Sequence, residues 1–110
     1  MATKARATKA IGHGLKQGDW VIFRARDAGV WYGRLESLDF KACVGTLANA
    51  RQMWRWFAGQ SITLLDVAEY GVDPTKCRFS KARRRATMLS VCAVVGISEA
   101  AVKTLEAVNA

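Results

Sequence analysis

The run Trp20-Val21-Ile22-Phe23-Arg24-Ala25-Arg26, followed by Asp27-Ala28-Gly29 and then Val30-Trp31-Tyr32-Gly33-Arg34-Leu35-Glu36, decides the fold class. Both flanks are rich in β-branched and aromatic residues, and the segment between them has turn chemistry. Alternation puts Val30, Tyr32, Arg34 and Glu36 on one face and Trp31, Gly33 and Leu35 on the other. The reading is a β-hairpin.

Toward the C-terminus, a third strand is expected over Lys41 to Leu47. A short Ala48-Asn49-Ala50 link and a fourth strand over Arg51 to Phe57 follow. A helix is expected from Ser61 to Glu69. Ser61 or Thr63 supplies the cap, Asp66 lies three residues after Thr63, and Gly71 stops the helix. Pro74 marks a turn, and Lys76 to Arg85 reads as a basic connecting stretch. Ala86 to Ile97 alternates throughout, with Leu89, Val91, Ala93 and Val95 on one face. Its other face is only mildly polar, which predicts a central strand. Ser98 caps a last helix, Glu99 to Val108. The expected architecture is α+β, a small β-rich domain over residues 20–110. It is an antiparallel meander of about five strands with one internal and one C-terminal helix. Residues 1–19 read as a basic N-terminal arm without the apolar core of a secretory leader.

Composition narrows the function. The chain has 110 residues, 51% of them hydrophobic, which excludes wholesale disorder. It is short for a cofactor enzyme, and no apolar run is long enough to span a membrane. Lys and Arg number 17 against 9 Asp and Glu, a formal charge of +8, which points to an anionic partner. Cys43, Cys77 and Cys92 are scattered, and His13 is the single histidine, so no zinc set is spaced for coordination. The thiols read as small core hydrophobes in a reducing compartment. No catalytic triad, P-loop or dinucleotide fingerprint is present, so neither an enzyme, a cofactor nor a metal is expected.

The stretch Asn49 to Phe57 carries the candidate chemistry. Regular alternation would place Arg51, Met53 and Arg55 on one face and Gln52, Trp54 and Trp56 on the other. Arg51 and Arg55 suit phosphate, because a guanidinium fork is costly to bury without partners. Trp54 and Trp56 read as core or interface residues, with base stacking as the alternative. Trp56 is carried into the candidate site, and Trp54 is expected to be buried. Lys76, Arg78, Lys81, Arg83, Arg84 and Arg85 form a second cluster with no acid between Asp73 and Glu99. Phe79 lies inside it, either a stacking ring or an anchor to the core. The candidate ligand site is therefore Arg51, Arg55, Trp56, Arg78 and Phe79. Lys76, Lys81, Arg83, Arg84 and Arg85 form a secondary patch.

Asn49-Ala50-Arg51, Trp54-x-Trp56, Gly59, Ser61 with Leu65, Ala68, Gly71-Val72 and Pro74-x-x-Cys77-x-Phe79 together resemble a family of small uncharacterised bacteriophage proteins. The likeness covers residues 20 to 108. Arg55 stands where that family carries an aromatic. The strand Ser90 to Ser98 replaces an acidic-apolar one, and the arm is additional. The resemblance implies a phage origin. In size and layout the chain is also similar to the phage Thoeris anti-defence sponge proteins, oligomers that sequester nucleotide-type immune signals without cutting them. Three readings follow. The first is a non-enzymatic nucleotide-binding sponge in the cytoplasm of an infected bacterium. The second is a virion component, such as a capsid decoration or head–tail protein, whose basic arm ties subunits together. The third is a nucleic-acid-binding regulator. A homo-oligomer is expected, since four tryptophans and an apolar C-terminal strand exceed what so small a core can hide.

Overall fold

A computed structural model of the chain describes residues 9–57 and 63–110. The fold is α+β and dominated by antiparallel strands. A two-residue-turn hairpin, β1 (Ala10–Gly12) and β2 (Leu15–Lys16), precedes a curled sheet. That sheet contains β3 (Trp20–Ala25), β4 (Gly29–Asp39), β5 (Val44–Arg55), β6 (Arg78–Phe79), β7 (Arg83–Met88) and β8 (Val91–Gly96). Among the described residues there are also two α-helices, α1 (Leu64–Tyr70) and α2 (Glu99–Glu106), and a single 3-10 turn at Pro74–Lys76.

The β3–β4 hairpin forms as read, with Trp20 opposite Arg34 and Ala25 opposite Gly29. The next two expected strands are instead one. Asn49 adopts a positive φ of 52°, and a register shift in the β4–β5 pairing lets β5 continue past it. A bulge of this kind bends a strand without ending it. The expected link at Ala48 to Ala50 is therefore the middle of a twelve-residue strand.

The alternating run at 86–97 shows the opposite error. It is two strands, broken at Leu89-Ser90, where Ser90 has a φ of 58°. β7 pairs with β5, placing Met88 opposite Gly45, while β8 pairs with β3, placing Val91 opposite Ala25. Only two residues separate these pairings, so the two ends of the sheet must curl toward each other. The Val91 amide donates to the Cys43 carbonyl at 2.9 Å across that corner. β8 is consequently an edge strand, not a central one.

Curling produces two cores. Val21, Phe23, Ala25, Leu35, Leu47, Ala50, Met88 and Val91 fill the inside of the curl. Ile22, Tyr32, Met53 and Phe79 face outward and are covered by Val67, Ala68 and Val72 around α1 and by Leu105 and Val108 around α2. Both faces of β3 are thus buried, which explains its nearly unbroken apolar run.

The helices obey their caps. The Thr63 hydroxyl accepts from the Asp66 amide, and the Ser98 hydroxyl accepts from the Ala101 amide. Ser61, the other cap considered, lies outside the described residues. Part of the stretch read as an arm is also structured. His13 and Gly14 both take positive φ, the geometry of a tight hairpin turn, and Ile11 and Leu15 pack against the inner core. The thiols correct another expectation, because Cys43 and Cys92 are exposed and Cys77 is half-buried. Among the described residues, no helix is long and apolar enough to cross a membrane.

Candidate functional site

The expected site divides into a structural half and an exposed half. Arg51 belongs to the first. It is 7% exposed, and each of its three guanidinium nitrogens donates a hydrogen bond. Nε donates to the Ser80 carbonyl at 2.8 Å and Nη2 to the Val108 carbonyl at 2.8 Å. Nη1 donates to the Tyr32 hydroxyl at 3.3 Å and to the Leu105 carbonyl at 3.4 Å. These carbonyls close the C-terminal end of α2 and the turn after β6. Arg51 is therefore removed from the ligand set: burial is sustained because backbone oxygens take the place of an anion.

Phe79 is removed with it. The Arg51 guanidinium lies 5.4 Å from its ring centroid and Tyr32 5.6 Å away. Those neighbours and the helix-side core leave no face for a base, so Phe79 is an anchor. Burial pushes the Tyr32 hydroxyl above its ordinary pKa, and its hydrogen bond to Glu106 pushes in the same direction. Tyr32 therefore serves as a neutral donor and acceptor inside this network.

Arg55 and Arg78 form the exposed half. They are direct partners across the β5–β6 pairing. In that pairing Met53 opposes Phe79 and Arg55 opposes Arg78, so Trp54 is an extra residue on β5. A bulge forces this residue outward. Trp54 is 62% exposed, contrary to the burial expected for it. Trp56, beyond the end of β5, is half-buried and packs against the helix-side core. Of the two tryptophans, the one placed in the candidate site is thus the less exposed.

Two small cavities meet along Thr75, Cys77 and Arg78. One, of about 250 Å³, is lined by Arg55 and Lys76 as well. The other, of about 290 Å³, has Trp54, Pro74 and Asn109 on its walls. The turn that shapes both is fixed by Asp73. Its carboxylate accepts from the Thr75 amide at 3.1 Å and from the Thr75 hydroxyl at 2.7 Å. Those bonds hold its pKa below the usual carboxylate value, aided slightly by Lys76. Lys76 extends its ammonium to 5.1 Å from the Phe57 ring. Burial raises the Cys77 thiol, which keeps it protonated and a poor nucleophile.

The secondary patch is partly neutralised. Arg85 makes a two-pronged pair with Glu36, at 2.8 and 3.3 Å. Lys76, Lys81, Arg83 and Arg84 are exposed and have no ion-pair partner among the described residues, and the same holds for Arg55 and Arg78. Among the described residues no cluster of His, Cys, Asp and Glu is arranged to hold a metal. A larger cavity of about 730 Å³ lies between the start of β3 and α2. It sets Asp19 and Glu99 against Lys103, so its charge does not select an anion.

Base stacking is the alternative the sequence leaves open for Trp54, and its exposure follows from the register shift between Met53 and Arg55, which the sequence does not announce. The arrangement as a whole defines a class: a small curled-sheet domain with an exposed cationic notch beside an exposed tryptophan. The chain belongs to the family described as a domain of unknown function, DUF6948, which matches residues 18–105. No curated protein and no solved structure matches it.

Proposed function

We propose that this protein is a non-enzymatic binder of a nucleotide-type ligand. Arg55, Lys76 and Arg78 take its phosphates, and Trp54 stacks on its base. The observation that carries the reading is the direct opposition of Arg55 and Arg78 in one notch with Lys76. Like charges facing each other across strands destabilise a sheet. A bound phosphate would relieve that repulsion and use both guanidinium forks. An exposed indole on the adjoining wall supplies the apolar surface that a base requires.

This reading accords with a phage protein that sequesters a nucleotide signal in the cytoplasm of its host. A strand of nucleic acid is the second reading. It is favoured by the continuation of cations from Arg78 through Lys81, Arg83 and Arg84 along one sheet edge. The virion alternative rests on the phage resemblance and on the basic arm, residues 1–8 of which lie outside the described residues.

Tryptophan fluorescence and calorimetry with mono- and dinucleotides test the proposal. Saturable quenching is expected, with Arg55→Ala and Arg78→Ala each weakening affinity by at least about tenfold. Trp54→Ala should remove most of the quenching and leave the melting temperature nearly unchanged. Binding that requires a polymer and weakens steeply with salt would favour the second reading. If neither nucleotide nor polymer responds to Arg55→Ala, the notch is not the site.

A further inference from the structure

The curled sheet has two open edges, and the sequence treats them in opposite ways. Residues 78–88 run along the outside of β5 and carry Arg78, Lys81, Arg83, Arg84 and Arg85. Charges of this kind prevent an edge from pairing with another chain. The other edge is β8, which pairs with β3 alone. From Ala86 to Ser98 there is no charged residue and no proline. Cys92 and Ala93 are exposed in the middle of the strand. A cavity of about 490 Å³ follows β8 from Val91 to Gly96, and its other walls include Leu15, Leu38 and Phe40. Phe40 is 43% exposed there.

We infer that β8 pairs antiparallel with β8 of a second copy about a two-fold axis, extending one sheet through two chains. Charge selects this occupant. Each chain carries +8, so most approaches between copies bring cations together. Pairing through residues 78–88 would set two rows of arginine against each other. Pairing through β8 sets no charge against another. The nearest cation in the ladder is Arg24, opposite Ala93 on β3. In the pair it would lie three strand spacings from its copy, roughly 14 Å, beyond the screening length of physiological salt. An acidic partner strand would find no cation on β8 to meet. A self-complementary contact of this type also closes at two subunits.

Sedimentation of the full chain under reducing conditions, from low micromolar to high concentration, tests the inference. A reversible dimer is expected that tightens as salt rises, opposite to the salt response of phosphate binding. Ala93→Lys, at an exposed position, should weaken dimerisation by at least about tenfold. Leu65→Lys, which removes an exposed leucine from α1, should leave it unchanged. Hydrogen exchange on the unmodified protein gives a measure independent of any variant's folding. Amides of residues 91–96 should gain protection with concentration, and those of residues 78–88 should not. A monomer at every concentration, a dimer lost only on reduction, or an Ala93→Lys dimer as tight as the original would overturn the inference.

Discussion

Arg51 on β5 donates to the carbonyl of Val108, 57 positions later, at 2.8 Å. This bond and its companion to Leu105 fasten the end of α2 to the outer face of the sheet. The helix lies beside the β6 turn because one side chain holds both, through the Ser80 and Val108 carbonyls.

Arg51→Ala should therefore destabilise the fold by about 3 kcal/mol or more, since buried carbonyls lose their donor. Arg51→Lys should recover little, because a single ammonium cannot reproduce a planar fork aimed at separated acceptors. Urea unfolding of both variants checks this. A loss below about 1 kcal/mol in Arg51→Ala would show that water replaces the guanidinium.

Tyr32 gives the same network a pH signature. Its hydroxyl is raised in the folded state, first by burial and then by Glu106. Below the unfolded value, about 10, both states are protonated and its contribution is fully present. As pH climbs beyond that point the unfolded chain ionises first, and stability falls by up to about 1.4 kcal/mol per pH unit. Tyr32→Phe should be less stable at neutral pH and should show a shallower alkaline decline. Parallel stability curves for the two proteins above pH 10 would contradict this account.

The closure of the sheet depends on a missing side chain. A methyl group at Gly45 would overlap the Phe23 ring at the position where β5 approaches β3 across the inner core. Gly45→Ala should cost about 1–3 kcal/mol, the range for overpacking a filled interior. Gly96→Ala is the matched control, because a methyl there meets nothing within 4 Å. Thermal melts of the pair should differ by several degrees. Equal melting temperatures would mean that the sheet can open at the Leu89-Ser90 corner without loss.

Local rules made some of this legible and concealed the rest. Val21 and Phe23 alternate with Ile22, and Thr63 and Ser98 stand where caps belong, so the β3–β4 hairpin and both α-helices are legible directly. Asn49 and Ser90 defeated the pattern because each takes a positive φ that its neighbours do not announce. One keeps a strand whole and the other breaks one. Arg51 reads as solvent-facing by residue type, while its acceptors are carbonyls at and just beyond the end of α2, distant in sequence. Strict alternation turns Trp54 inward, and it stops holding at the bulge between Met53 and Arg55.

The notch itself should show a trade between stability and binding. Arg55 and Arg78 oppose each other across the β5–β6 pairing without an ion-pair partner among the described residues. Exchanging one of the two for the shorter, neutral glutamine removes the repulsion and keeps the aliphatic stem of the side chain. Arg55→Gln should thus raise stability at low ionic strength by about 0.2–1 kcal/mol. The gain should fade near 1 M salt, where screening acts within about 3 Å. Nucleotide affinity should fall in the same variant, because the fork that the phosphate would use is gone. Chemical denaturation with urea, which adds no ions, measures the first effect at several salt concentrations. Calorimetry measures the second. If Arg55→Gln lowers stability to the same extent at every salt concentration, Arg55 is holding the fold, and the phosphate site must lie elsewhere along the cationic edge.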